Sequence, residues 1–345
     1  MITKTRLKIC DNKMIKYLIF ILSTLSLAFS QDKIGTSAAN FLGISMGSRA
    51  TALGGAFTSI SSDPASIYYN PASISRSDDN KLTLNNTNWF LDSKILFISG
   101  NFRLNENISV GSFLINLDYG DEEITDFNNQ EGTGTYWSAN DLAFGSALSF
   151  NLTNEFSIGG TIKYINQRIH NESANSMASD IGIYYLSELN KFSMGFSISN
   201  FGLNMILDGK DLYNRIDLDP EDGGNNETIV AKIKTESWPL PLFLRLGISK
   251  QIQVGENISL LSSSDFIIPS DDAEVVCSGI ELKMRDLIIL RFGYNSTLND
   301  YEDEYLTFGF GVKTKLNKIP INIDYSFQNR NLLNQTSTLG LSFSF

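Results

Sequence analysis

A single histidine, His170, and two cysteines, Cys10 and Cys277, leave this chain short of the groups that build metal clusters. Cys10 falls in a leader segment, so Cys277 stands alone and no internal disulfide can form. Basic residues are scarce as well: 27 Lys and Arg face 38 Asp and Glu, a net charge of −11. That balance excludes nucleic acid as a partner, because a phosphate backbone demands a basic surface. A long apolar run is also missing. Beyond residue 30 nothing approaches the roughly 20 apolar residues of a membrane-spanning helix, and the mean hydropathy of −0.08 reads as soluble.

What is present contradicts that last impression. Lys4, Arg6, Lys8, Lys13 and Lys16 form a basic stretch, and Tyr17–Phe29 is a run without charge. Ala28-Phe29-Ser30 then places small residues where a signal peptidase reads, so residues 1–30 are expected to be a signal peptide cleaved after Ser30. The alternative is a retained anchor, for which the run is short. Without residues 1–30, five basic residues and one acid are lost, leaving 22 against 37 and a net charge of about −15.

From about Lys81 onward the chain alternates with period two. Leu306, Phe308, Phe310 and Val312 share one face while Thr307, Gly309, Gly311 and Lys313 share the other. The last segment does the same: Leu339, Leu341, Phe343 and Phe345 oppose Thr338, Gly340, Ser342 and Ser344. In water such a terminal strand would be an edge that invites aggregation. In a bilayer it puts its apolar face to lipid and its small polar face to a lumen. A terminal aromatic at Phe345, with Phe343 before it, resembles the C-terminal signal that marks outer-membrane barrels for assembly. About fourteen such segments can be counted, and the links between them alternate in length. Short links at 105–107, 153–155, 188–190, 255–257, 285–286 and 317–318 alternate with longer ones at 119–141, 169–176, 201–241, 270–273, 295–303 and 329–335. That is the topology of an all-β transmembrane antiparallel barrel, with short periplasmic turns, long outer loops and, for an even strand count, both termini periplasmic. A soluble β-sandwich also uses short alternating strands, but it explains neither the link pattern nor the leader.

Residues 31–78 do not alternate. They are rich in Gly, Ala and Ser, and precede a barrel whose lumen is wide enough to need filling, so a hatch folded into the lumen is expected, with the barrel over 79–345. Pro71 fixes its own φ and pushes Asn70 towards extended backbone. Asn70 favours a self-capping turn, read either as an ordinary turn leading into the strands or as a latch. Here the chain resembles a known family. Gly47-Ser48-Arg49-Ala50-Thr51-Ala52-Leu53-Gly54-Gly55-Ala56-Phe57 looks like the glycine-rich opening of the PorV/PorQ family. Ser62-Asp63-Pro64-Ala65-Ser66-Ile67-Tyr68-Tyr69-Asn70-Pro71-Ala72 resembles the stretch that follows it there. Arg49, Gly54, Gly55, Asn70, Pro71 and Ala72 are the hatch-motif positions, and Asn70-Pro71-Ala72 matches an element shared by FadL-like hatches. Ser73 departs from the family's usual Gly. The resemblance implies a fourteen-stranded FadL-like barrel related to the type IX secretion system. It also implies that secreted proteins are received through their C-terminal domains and passed to a surface attachment complex. The alternative is a FadL-like channel for hydrophobic small molecules; a barrel of purely structural role is a third reading.

Enzymatic chemistry is not expected. Gly43-Ile44-Ser45-Met46-Gly47 matches G-x-S-x-G, but a nucleophile elbow needs a strand–turn–helix setting and a histidine. Asp217, Asp219, Glu221 and Asp222 have ligand-like spacing, yet Asp222 occupies the Gly position and Thr228 the final Glu position of a calcium loop. A solvated acidic loop is the default, with weak calcium binding the alternative, and no cofactor or metal is assigned. The same loop, 201–241, joins acids to Leu203, Met205, Ile206, Leu212, Tyr213 and Trp238. Tyr213, Asp217, Asp219, Glu221 and Trp238 are therefore candidate docking residues for a protein partner, unless the apolar ones fold inward as a cap. Expected partners are outer-membrane lipid, the barrel assembly machinery, and secreted cargo or attachment proteins.

Overall fold

An alternating segment has one apolar face and a full row of unpaired backbone groups, and in lipid only a closed ring satisfies both. The computed structural model describes residues 35–61, 63–187, 189, 191–217, 229–298, 304–317, 319–330 and 334–345. The expected signal peptide lies outside the described residues. The ring is built from β1 (Lys81–Asn88), β2 (Lys94–Arg103), β3 (Ile108–Glu123), β4 (Tyr136–Asn151), β5 (Phe156–Ile169), β6 (Glu172–Ser187) and β7 (Phe192–Gly202). It continues through β8 (Phe243–Gln253), β9 (Ile258–Pro269), β10 (Val275–Met284), β11 (Ile288–Thr297), β12 (Glu304–Leu316), β13 (Ile319–Arg330) and β14 (Asn334–Ser344). Each pairs antiparallel with its neighbours in sequence, and β14 returns to β1 with Ser344 opposite Lys81 and Ser337 opposite Asn88. The fourteen-stranded barrel read from the sequence is the fold observed.

The faces divide as the alternation requires. Leu306, Phe308 and Phe310 are exposed on the outside of β12, whereas Thr307 is fully buried on the lumen side. Across the outer face, the rings of Phe292 and Phe308 meet edge-on at 5.1 Å. Leu339 on β14 points outward and Thr338 inward. Phe343 lies opposite Leu82 and Ile321. Phe345 packs beside Phe102 at 6.2 Å and donates its N–H to Asn80 O.

Short links of two to four residues gather at one mouth and most longer ones at the other. Two expectations fail there. The link expected at 169–176 is a two-residue turn, His170-Asn171, between strands that pair as far as Ile169 and Glu172. The link expected at 119–141 shrinks likewise, because β3 runs to Glu123 and β4 starts at Tyr136. These strands rise past the apolar zone, where neither face needs apolar residues and the alternation that marks a strand disappears.

The described chain ends also separate. Phe345 lies at the short-turn mouth beside Asn80, but Ala38 donates its N–H to Pro239 O and Ser37 bonds Asp271, both at the long-loop mouth. The expected mature N-terminus, after residue 30, lies outside the described residues. An even strand count fixes only the barrel's ends, and the segment ahead of β1 crosses the whole lumen.

Candidate functional site

The lumen is filled by residues 35–61 and 63–77, so the candidate site is built from this hatch and the wall it touches. It begins with a 3₁₀ turn, Asn40–Gly43, followed by α1 (Ser48–Ala52), α2 (Ser66–Tyr69) and a second 3₁₀ stretch, Pro71–Arg76. Helices of four or five residues do not stand alone in water; here tertiary contacts hold them. Phe41, Leu42, Leu53, Phe57, Ile67, Tyr68 and Ile74 are buried among wall residues such as Phe97, Phe113 and Ile115. Tyr68 meets Phe113 edge-on at 5.9 Å and Phe97 at 6.2 Å. Burial pushes the phenols of Tyr68 and Tyr69 above their ordinary range, so both stay protonated: Tyr69 donates to Met46 O and Tyr68 to Leu42 O.

The motif residues explain themselves. α1 ends because Gly54 and Gly55 take φ of 69° and 90°, the left-handed region where a side chain is strained. Gly55 N–H closes back on Ala50 O at 3.0 Å. Gly54 also lies against the backbone of β11, where an added Cβ would stand 2.6 Å from Tyr294 O. Asn70 caps the second 3₁₀ stretch, its Oδ1 accepting from Ala72 N–H at 3.0 Å. Its Nδ2 donates to Thr58 O at 3.1 Å and to Ile183 O of β6 at 2.9 Å. The cap and the latch are therefore one side chain. Pro71 and Ala72 lie against Gly159 of β5. Ser73, the departure from the family pattern, is accommodated by donating its hydroxyl to Asn70 O at 2.7 Å.

Arg49 provides the charged contact. Its Nε and one terminal nitrogen grip Glu281 of β10 at 2.7 and 2.8 Å, and the other reaches Asp63 at 3.5 Å. Glu281 also accepts from Arg291 at 2.7 Å, which binds Asp324 at 2.6 Å. Burial opposes the charge on Arg49, but Glu281 and Asp63 outweigh it and hold the guanidinium above its usual range. Elsewhere Asp265 of β9 accepts the N–H groups of Phe57 and Thr58 at 2.8 and 2.7 Å. Asn295 of β11 donates to Gly54 O, and Thr307 of β12 to Ala52 O, both at 3.0 Å. Asn85 of β1, Ser149 of β4, Gln167 of β5, Ser197 of β7 and Ser249 of β8 add further bonds. The hatch is thus bonded to the wall around the ring.

A cavity of about 500 Å³ lies on the short-turn side of the hatch, lined by Arg49, Glu281, Lys283, Arg291, Lys313 and Lys315 among others. On the loop side a second, of about 450 Å³, is lined by Tyr68, Tyr69, Phe243, Arg245, Tyr305 and Arg330 with Asp271 and Asp272. Arg245 is 4% exposed, stacks on Phe243 at 4.6 Å and donates to Ser199 Oγ at 2.8 Å. Among the described residues no carboxylate lies within 4.0 Å of it.

The candidate docking residues are brought only partly together. Tyr213 stands exposed on a short strand, Tyr213–Ile216, paired with Ile229–Lys232. Ile216 and Val230 on the same hairpin are exposed as well. Lys232 lies 5.4 Å from the Tyr213 ring centre and binds Asp208 at 2.6 Å. Trp238 is exposed and pairs with Met205, whereas Met205 and Leu240 turn into the core. The loop therefore serves both as a lid at its base and as an exposed hairpin beyond it. Asp217 is described; Asp219 and Glu221 lie outside the described residues. Ser45 lines the loop-side cavity, while His170 sits in the β5–β6 turn, donating its N–H to Ser138 O.

Sequence reading passed over Glu281, Arg291, Asp324, Asp265 and Arg245. Their signal was a charge on the polar face of an alternating strand, where small residues would suffice for an empty wall.

The sequence profile of the family described as "Type IX secretion system protein PorV" matches residues 28–233. No curated protein matches the chain. Among solved structures it is similar to the monoaromatic hydrocarbon channel CymD, at TM-score 0.57 and 11% identity over 86% of this chain and 96% of that one. The toluene transporter TodX of P. putida is similar at TM-score 0.56 and 13% identity, over 87% and 98%.

Proposed function

Because the chain belongs to the PorV family of type IX secretion system proteins, we propose that this outer-membrane barrel works as a receptor at its loop mouth rather than as a conduit. In this reading it receives secreted proteins by their C-terminal domains and passes them to a surface attachment complex, without enzymatic chemistry of its own. The long-loop mouth then faces the cell surface and the short-turn mouth the periplasm.

The observation that carries the reading is the occupied lumen. A hatch buried to a few per cent and bonded to ten or more strands leaves the mouths, not the interior, as working surfaces. At the loop mouth, Tyr213, Val230 and Trp238 supply exposed anchors of the kind that dominate protein interfaces. Beneath them Arg245 is a buried guanidinium that a partner's carboxylate would pair. A channel for hydrophobic small molecules, as the likeness to CymD and TodX suggests, needs an apolar path. The two larger lumen cavities carry charged walls instead, which favours the receptor.

The test is co-purification from outer membranes. Tyr213→Ser with Val230→Asp is expected to leave barrel assembly intact, read as heat-modifiable gel mobility, while at least tenfold less secreted protein co-purifies. Undiminished partners would reject docking at the hairpin.

A further inference from the structure

The short-turn cavity carries a charge pattern that the hatch contacts do not use up. Arg49 and Arg291 are neutralised by Glu281, Asp63 and Asp324. Lys81, Asp79 and Asp286 also line this space, and Lys283, Lys313 and Lys315 face it. Lys283 lies on the rung Lys283–Ile289–Gly311, and Lys313 and Lys315 follow on the lumen side of β12 towards the mouth. Among the described residues, the carboxylate in ion-pair range of these lysines is Asp286, at 3.6 Å from Lys283 and 85% exposed. An exposed partner of that kind contributes little. Like charges that line one vestibule repel one another, in a chain that otherwise carries a large excess of acid.

Spacing indicates what would relieve the repulsion. Lys313 and Lys315 are two residues apart on one strand face, about 7 Å, and β10 lies two strand spacings from β12, about 10 Å. These charges are spread along a groove instead of converging on a point. A single phosphate would bridge one pair, whereas an extended peptide presents alternate side chains at the same 7 Å repeat. We infer that the short-turn vestibule is a docking site for an acidic peptide segment of a partner, lying along β10–β12 with its carboxylates on Lys283, Lys313 and Lys315. The site is separate from the loop mouth and does not depend on what that mouth binds.

The experiment uses the full chain in detergent micelles and a fluorescein-labelled hexaglutamate peptide, read by anisotropy at low ionic strength. Binding is expected, weakening steeply with salt. It is expected to be about tenfold weaker in Lys313→Gln/Lys315→Gln, as loss of one half-buried and one exposed charge contact implies, and weaker still in Lys315→Glu. Lys94→Gln, at the opposite mouth, should bind as the parent does. Heat-modifiable mobility checks that each variant is a folded barrel. No binding to the parent, or equal binding by Lys313→Gln/Lys315→Gln and the parent, overturns the inference. Inorganic phosphate competing as strongly as the peptide would assign the vestibule to a small anion and overturn it too.

Discussion

Asn70 makes three hydrogen bonds with one amide, and they separate cleanly by substitution. Alanine removes the cap on Ala72 N–H and leaves Thr58 O and Ile183 O without this donor. Buried groups left unpaired cost about 1–3 kcal/mol each. Aspartate keeps the cap but turns a carboxylate oxygen towards two carbonyls. Asn70→Asp is therefore expected to destabilise more than Asn70→Ala, read as a lower temperature for loss of the folded band on a gel. The reverse order would mean that the cap outweighs the latch. At Arg49 the removal of one partner matters more than the worth of the pair. Arg49→Ala leaves Glu281 buried with Arg291 alone, a loss on the order of 3 kcal/mol, in the same assay.

At the scale of the element, the wall accepts the hatch through glycines. A Cβ on Gly293 of β11 would stand 2.2 Å from Gly54 N, whereas on Gly160 of β5 its nearest neighbour would be 3.5 Å away. Gly293→Ala is thus expected to displace α1 and raise ion conductance in planar bilayers, while Gly160→Ala leaves it unchanged. Equal conductance in both would mean that α1 does not seal the wall there. Much of this scale was legible in the sequence. Period two in Leu306–Val312 and Leu339–Phe345 gave the strands, the lengths of the links gave their order, and Asn70-Pro71 gave the turn. The glycines of β12 were already on the lumen face by alternation. What they face was not legible, because Gly309 lying against Ala52 is a meeting of residues far apart in sequence. The polar upper reaches of β5 and β6 were missed because a strand beyond the membrane needs no apolar face. Arg49 was marked by its motif, but its partner Glu281 had only an unneeded charge to betray it.

On the whole molecule, the ladder alone satisfies the barrel's backbone, so the wall and its filling are separable. Deleting 36–76 is expected to give a barrel that still assembles but conducts ions freely; unchanged conductance would show that the segment does not close the lumen. Such a barrel should also be the less stable one, because Asp265, Glu281 and Asn295 would lose the hatch groups they now bind.

The seam between β1 and β14 carries a consequence for how the molecule is made. β1 follows the hatch directly, after Arg76 has bonded to Ser157 and to the backbone of Asn154 and Thr153. β14 is the last strand of the ring, so the two halves of the seam are the first and last strands to be supplied. By then the filling has its partners waiting on strands from β4 to β12. The last bonds of the ring are therefore those of the seam, from Lys81–Ser344 to Asn88–Ser337, and they close around a hatch that the ring can hold but does not need in order to close.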